Sequence, residues 1–215
     1  MDGLLIDSER YMWTVSMTQA MSERGLILTD EFHKTIMGMT LDNAGPLIKN
    51  EYGQDFDIEK FFDRVKEINR EIIKKGVPLK KGARELLNYL HRNNIKTCIG
   101  TSTTKEEAIP LLEADNLLED FNEVVCGDEV NNGKPAPDIY LKCFNKFDFK
   151  KTEAFILEDA NAGAKAAIAS GIRLILVPDL SDIEEPVKNK AYKVVDDLSK
   201  VIDIIKEENE RTISI

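Results

Sequence analysis

From Gly82 onward, the sequence alternates helical patterns with short apolar runs bounded by turn residues. Such alternation is typical of a parallel β-sheet with helices on both faces. We therefore expect an α/β fold with a doubly wound parallel sheet. The predicted strands are residues 95–100, 123–126, 154–157, 173–177 and 193–195, and the predicted helices are 83–93, 104–114, 137–147, 162–170 and 198–207.

Residues 9–78 carry only helical patterns, with glycines at the expected stops and caps predicted at Thr40 and Asp57. Aromatic and methionine residues at helical spacing are typical of a bundle core rather than of a cofactor site. We therefore expect a four-helix domain over residues 9–78, inserted into a core domain that comprises residues 1–8 and 79–215.

Polar side chains follow three predicted strands at the point where each strand or its loop ends. They are the hydroxyls of Thr101, Ser102 and Thr103, then Lys134, then Glu158 and Asp159. The carboxyl ends of parallel strands meet at one edge of the sheet, where open α/β sheets bind their ligands. We therefore expect one site at that edge.

Each of these groups also has a purely structural explanation. Thr103 and Glu106 fit a capping box, Lys134 in a turn fits a solvated side chain, and Asp159 fits a helix cap. The convergence of all three groups favours a site.

The adjacent carboxylates of Glu158 and Asp159 raise each other's cost of ionisation, and a bound cation offsets that repulsion. Hard oxygen ligands suit Mg²⁺. A phosphoryl group, with its spread negative charge, is stabilised by a cation, an ammonium group and hydroxyl donors together. The pattern therefore predicts Mg²⁺ beside a phosphoryl pocket supplied by Thr101 and Lys134.

Composition narrows the class of protein. The net charge of −10 and pI near 4.9 argue against nucleic acid or an anionic membrane as a partner. An odd number of cysteines (Cys98, Cys126 and Cys143) indicates a reducing compartment and packing roles. His33 and His91 lie on helical patterns and are expected at the surface. We expect a cytoplasmic monomer that is not inserted in a membrane.

The order of these parts resembles the haloacid dehalogenase-like phosphohydrolases. The similarity is to the branch with a helical cap after the first strand, which includes β-phosphoglucomutase and small-metabolite phosphatases. The four stretches that resemble the family's motifs are Met1-Asp2-Gly3 with Asp7-Ser8-Glu9, Gly100-Thr101-Ser102, Gly133-Lys134-Pro135, and Glu158-Asp159. Ala160 departs from the serine often found after the fourth motif's acids.

The resemblance implies a Mg²⁺-dependent phosphatase that acts on a small phosphorylated metabolite such as a sugar phosphate. Asp2 would protonate the leaving group and then activate water. Thr101 and Lys134 would stabilise the phosphoryl group, with Gly3 and Ser102 as further substrate contacts.

For the metal, the resemblance implies three ligand positions at this site. Mg²⁺ would lie on Asp159 with Glu158 close by, and the backbone carbonyl of Asp2 would be a further ligand.

The resemblance also places the nucleophilic aspartate immediately before Met1, at the end of an apolar strand in the centre of the sheet. Neither precedes Met1 in this sequence. Without them a phosphoenzyme cannot form, and two neighbouring strands would lack pairing, at about 1–3 kcal/mol for each unpaired buried group. We therefore expect that the sequence starts at an internal methionine of an active enzyme.

Three alternatives remain open. A phosphomutase of the β-phosphoglucomutase type would carry a hinge histidine and a cap arginine, and by position these sites hold Met12 and Leu41. A non-catalytic phosphate-binding protein would fit the chain as written. A phospho-receiver domain also gathers acids, threonine and lysine at a sheet edge, but in another order and without a helical insert.

Overall fold

A computed structural model describes residues 1–36, 41–180 and 182–213. Contacts divide the chain into two compact units. Unit 1 comprises Met1–Asp7 and Pro78–Ile215, and unit 2 comprises Ser8–Val77. The expected α/β class with parallel sheets is confirmed. None of the helices in the described ranges is both long and apolar enough to cross a bilayer.

The helices follow the predicted order closely. A π-helical turn, Glu9–Trp13, precedes them, and the α-helices are α1 (Thr14–Ser22), α2 (Asp30–Ile36), α3 (Leu41–Tyr52), α4 (Ile58–Lys75), α5 (Ala83–Arg92), α6 (Lys105–Ala114), α7 (Asp138–Phe144), α8 (Asn161–Ser170), α9 (Glu185–Lys188) and α10 (Ser199–Ile213). The short helix α9 was not predicted. The predicted cap at Thr40 lies outside the described residues.

In the described part of unit 1, five parallel strands form two groups. They are β1 (Cys98–Gly100), β2 (Glu123–Val125), β3 (Phe155–Glu158), β4 (Arg173–Leu176) and β5 (Lys193–Val194). β1 pairs with β2, while β3, β4 and β5 form a second sheet in that order. Within the described ranges, no strand pairing joins the two sheets.

The alternative explanation of Thr103 and Glu106 as a capping box at the start of α6 does not hold. The helix begins at Lys105, whose backbone N–H donates to Asp128 Oδ1 at 3.0 Å. The Thr104 hydroxyl donates instead to Glu107 Oε2 at 2.9 Å. Thr103 therefore stays outside the helix, which leaves its hydroxyl available for another partner.

The core of unit 1 surrounds α7 and α8. Cys126 and Cys143 are buried and Cys98 is half-buried, all three as free thiols. This confirms the expected packing roles. Tyr140 belongs to the same core and is 7% exposed.

Unit 2 is helical, and its core contains Phe61 and Phe62 together with buried methionine and aliphatic residues. Phe61 is fully buried and makes edge contacts with the rings of Phe56 and Phe62. This confirms the bundle-core interpretation of the aromatic stripe. The surface prediction for His33 is wrong, because His33 is only 6% exposed within α2. Its burial lowers its pKa, against the opposing charge of Asp30.

The chain leaves and re-enters unit 1 at adjacent backbone positions. The N–H of Asp7 donates to the carbonyl of Pro78 at 2.8 Å, and the N–H of Lys80 donates to the carbonyl of Leu5 at 2.9 Å. The Lys80 ammonium also contacts Asp179 Oδ1 at 2.7 Å and Asp7 Oδ1 at 3.4 Å. Both crossings are thus tied to each other and to the loop after β4.

Candidate active site

Asp2 meets the loop that follows β1. Its Oδ2 accepts a hydrogen bond from the Thr103 hydroxyl at 2.9 Å and a longer one from the Thr101 hydroxyl at 3.4 Å. Thr101 is only 3% exposed, and its Oγ1 also accepts the Thr103 N–H at 3.1 Å. The two threonines therefore fix the side chain of Asp2 at the carboxyl end of β1.

Backbone contacts hold this loop in place. The N–H of Thr101 donates to the carbonyl of Val125 at 3.0 Å, which extends the pairing of β1 with β2. The N–H of Gly127 donates to the carbonyl of Thr103 at 3.0 Å. A Cβ at Gly127 would lie 2.1 Å from the carbonyl oxygen of Ser102, so this close approach requires glycine.

Lys134 is not a solvated turn residue, so the purely structural explanation of this lysine does not hold. Its side chain is 12% exposed, and its Nζ donates to Glu158 Oε1 at 2.6 Å and to the carbonyl of Gly100 at 3.2 Å. The peptide bond between Lys134 and Pro135 is cis. Lys134 thus bridges the ends of β1 and β3.

Glu158 is buried, at 5% exposure, and both of its carboxylate oxygens have donors. Oε1 accepts from Lys134 and from the Tyr140 hydroxyl, and Oε2 accepts the N–H of Asp159 at 3.2 Å. Burial alone would raise the pKa of Glu158. The nearby positive charges of Lys134 and the amino terminus, with the hydrogen bonds from Lys134 and Tyr140, outweigh it and lower that pKa.

Asp159 lies against the amino-terminal segment. A Cβ at Gly3 would be 2.3 Å from Asp159 Oδ2, and Gly3 has a φ of +73°, so both space and backbone conformation favour glycine here. The Asp159 carboxylate therefore lies against the residue that follows Asp2 in the chain. The predicted substrate contact at Gly3 is thus adjacent to the predicted metal ligand Asp159.

The oxygen donors of the site are few but fit Mg²⁺. Within the described ranges, no three His, Cys, Asp or Glu side chains are placed to hold a metal ion by themselves. Mg²⁺ usually keeps several waters and takes one or two protein carboxylates together with a substrate phosphate. The Asp159 carboxylate, which lies against Gly3, fits that demand together with a backbone carbonyl, while the Glu158 carboxylate is already occupied by Lys134 and Tyr140.

The structure connects most of the predicted site residues through direct contacts. Asp2 contacts Thr101, and Lys134 contacts Glu158, whereas the Ser102 side chain is exposed and only its backbone packs, against Gly127. Asp2 and Thr101 lie at the carboxyl end of β1, and Asp159 follows β3. Lys134 joins the two strand ends through Gly100 and Glu158.

Two residues of this cluster have contacts that the sequence does not predict. The Thr103 hydroxyl is the nearer donor to Asp2, and the Tyr140 hydroxyl donates to Glu158. The sequence places the Thr103 hydroxyl at the end of β1 but does not show which group it contacts. Tyr140 lies in an apolar helix face, so the sequence pattern alone assigns it to the core.

Comparisons with known proteins agree with this arrangement. The family model of haloacid dehalogenase-like hydrolases matches residues 1–177. A Drosophila melanogaster protein named a probable pseudouridine-5'-phosphatase is 32% identical over 185 residues, which cover 83% of this chain and 79% of that protein. A phosphorylated carbohydrates phosphatase of Thermotoga maritima is 28% identical over 209 residues, covering 96% of each chain.

A solved structure agrees over nearly the whole chain. It is a Thermotoga maritima protein assigned as a β-phosphoglucomutase, which superposes with a TM-score of 0.85 at 28% identity and covers 96% of both chains. The family match spans the amino-terminal segment, the loop after β1, Lys134 and the acids after β3. The chain therefore belongs to the haloacid dehalogenase-like hydrolases.

Proposed function

We propose that this chain is the catalytic part of a Mg²⁺-dependent phosphatase that hydrolyses phosphate monoesters of small metabolites such as sugar phosphates. The observation that carries the proposal is the contact of the Asp2 carboxylate with the hydroxyls of Thr101 and Thr103, at the sheet edge that also holds Lys134 and Asp159. The relatives named as phosphatases of phosphorylated carbohydrates and of pseudouridine 5'-phosphate support this class of substrate.

In the proposed reaction, an aspartate immediately before Met1 attacks phosphorus, and the ester oxygen leaves with a proton from Asp2. The Asp2 carboxylate then takes a proton from the water that hydrolyses the aspartyl-phosphate. The hydroxyl of Thr101 and the ammonium of Lys134 donate to phosphoryl oxygens. Mg²⁺, held by Asp159 and the backbone carbonyl of Asp2, would neutralise charge on the phosphoryl group when bound.

The test is phosphate release from a panel of esters: sugar phosphates, glycerol 3-phosphate, phosphoglycolate and pseudouridine 5'-phosphate. It uses the 215-residue chain and a version extended at Met1 by an apolar segment that ends in aspartate. We expect the extended chain to release phosphate when MgCl₂ is present and to stop when the metal is chelated. Asp2→Asn should lower kcat by about 10²–10⁴-fold, the usual contribution of general acid–base catalysis.

Asp63→Asn is the matched control, because Asp63 is an exposed acid of α4 with 73% side-chain exposure. It should leave turnover unchanged. An extended chain that releases no more phosphate than its Asp2→Asn variant would overturn the proposal. Phosphate release by the 215-residue chain itself would rule out the non-catalytic phosphate-binding alternative.

A phosphomutase is the second candidate, favoured by the structural similarity to the protein assigned as a β-phosphoglucomutase. Met12 and Leu41, at the positions of the expected histidine and arginine, argue against it. Incubation of the extended chain with β-glucose 1-phosphate separates the two reactions. Accumulation of glucose 6-phosphate without free phosphate would establish the mutase and exclude the phosphatase.

A further inference from the structure

Tyr140 touches both members of the buried ion pair in the candidate site. Its hydroxyl donates to Glu158 Oε1, the oxygen that also accepts from Lys134. The Nζ of Lys134 lies 4.9 Å from the centroid of the Tyr140 ring, within the range of a cation–π contact. One side chain therefore contacts the carboxylate through its polar end and the ammonium through its ring face.

The surroundings keep Tyr140 in this role. The residue is 7% exposed, and burial, followed by the negative charge of Glu158, raises its pKa well above the ordinary value. The hydroxyl therefore keeps its proton and serves as a donor. The ring also packs on the end of β1, since a Cβ at Gly100 would lie 3.4 Å from its Cε1 atom.

The carboxylate of Glu158 is enclosed by the start of α8 and by the backbone of Asp159. A Cβ at Gly163 would lie 2.1 Å from Glu158 Oε1, so the start of α8 closes one side of the carboxylate. The N–H of Asp159 holds the other oxygen. The donors on Oε1 thus decide how strongly Glu158 holds the ammonium of Lys134.

We propose that Tyr140 is a positioning residue, whose hydroxyl and ring share the Glu158–Lys134 pair so that the Lys134 ammonium stays available to a bound phosphate group. The inference rests on the proposed function for the identity of that group. Without the hydroxyl, Oε1 has Lys134 as its remaining side-chain donor, and the pair tightens. The ammonium then has to leave a stronger partner before it can contact phosphate.

The test is the affinity of the 215-residue chain for inorganic phosphate, measured by titration calorimetry with MgCl₂ present. Tyr140→Phe keeps the ring and removes the hydroxyl. We expect its Kd to rise about three- to tenfold, which corresponds to the net contribution of one ordinary hydrogen bond. In the extended chain, KM should rise by a similar factor with a smaller change in kcat.

The matched control is Tyr89→Phe. Tyr89 lies in α5, and its ring has Lys206 Nζ at 5.7 Å from the centroid, so it repeats the lysine-over-tyrosine contact away from the site. Its phosphate affinity should equal that of the parent chain. A double-mutant cycle with Glu158→Gln adds a readout that a merely structural role would not move. The effect of Tyr140→Phe on phosphate affinity should largely vanish when Glu158 is glutamine.

The possible outcomes separate this inference from the proposed function. An unchanged phosphate affinity of Tyr140→Phe, or additive effects in the cycle, would overturn the positioning role alone. Phosphate binding by the parent without turnover by the extended chain would overturn the phosphatase alone. A parent chain that does not bind inorganic phosphate would overturn the positioning role, and absence of turnover by the extended chain in addition would overturn both.

Discussion

At the scale of single residues, the absence of a side chain at Gly163 leaves room for a buried carboxylate of the site. It lies in the first turn of α8, and the space that its Cβ would take is filled by the carboxylate of Glu158. That carboxylate is the end of a flexible side chain, but Lys134 and Tyr140 hold it in place. Any side chain at position 163 must therefore displace the buried ion pair.

We expect Gly163→Ala to lower the free energy of unfolding by about 1–3 kcal/mol, the usual cost of overpacking, and to weaken phosphate binding. The control is Gly45→Ala, because Gly45 lies inside α3, where an added Cβ meets only an ordinary contact with Ile58 at 3.5 Å. That variant should change the free energy of unfolding by less than about 1 kcal/mol, because the ring of Pro46, the next residue, opposes the gain in helix propensity. Urea unfolding measures both variants, and equal effects would contradict the assigned clash.

Single residues also show where sequence reasoning stops. Thr101, Lys134 and Asp159 could be predicted because each follows a predicted strand, and strand ends meet at one edge. Tyr140 could not, because its partner Glu158 comes from another element, 18 positions later in the chain. His33 was misjudged for a similar reason, since a polar side chain on a helix gives no sign of what covers it.

At the scale of elements, α10 begins on a buried carboxylate. Asp197 is 7% exposed, and its Oδ1 accepts the N–H of Ser199 at 2.9 Å, while Oδ2 contacts Lys81 Nζ at 2.7 Å. The hydrogen bonds from Lys81 and Ser199 lower the pKa of Asp197 to about 2. The start of α10 is therefore tied to the segment before α5.

A carboxylate with a lowered pKa stabilises the fold at pH values above its unfolded pKa, about 3.9, and this contribution is lost as the pH falls toward the folded value of about 2. Lys81 is exposed, so solvent screens the pair, and we expect the contribution to be small. Asp197→Asn should remove this contribution near neutral pH. The free energy of unfolding of the variant should also fall less steeply as the pH is lowered.

Asp196→Asn serves as the control, because Asp196 is the exposed neighbour of Asp197. Guanidinium unfolding of both variants at several pH values measures the effect. An acid limb as steep in Asp197→Asn as in the parent chain would show that another group is responsible.

The order of helices and strands could be predicted well from the sequence, but their ends could not. Buried strands and amphipathic helices have distinct periodicities, which do not depend on distant contacts. Their ends are decided by caps and neighbours instead, as at α6, where the carboxylate of Asp128 accepts the first N–H. The short helix α9 is only four residues long and leaves too little periodicity to detect.

At the scale of the whole molecule, the divided sheet of unit 1 bears on the expectation that an apolar strand precedes Met1. The carbonyls of Ile99 and Gly100 in β1 accept from the side chains of Cys143 and Lys134. β3 pairs with β4 on one side, and no strand pairing joins it to β1 within the described ranges. An added central strand would pair with both.

We therefore expect the chain extended at Met1 to exchange the backbone amides of β1 and β3 more slowly than the 215-residue chain. New strand hydrogen bonds would protect those amides. β5 pairs with β4, on the side of that sheet away from β3, and should be unaffected. Hydrogen exchange followed by mass spectrometry measures the three segments in one experiment. Unchanged exchange in β1 and β3 would mean that the added residues do not enter the sheet.

The two points where the chain leaves and re-enters unit 1 lie side by side, so the segment between them can vary without disturbing unit 1. Because Asp7 is hydrogen-bonded to Pro78, the 70 or so residues between them begin and end at one place, about as far apart as two partners in a hairpin. A tight turn of a few residues could bridge that gap without pulling on the sheet. The intervening segment can therefore be exchanged or shortened while the residues at the ends of β1 and β3 keep their own framework.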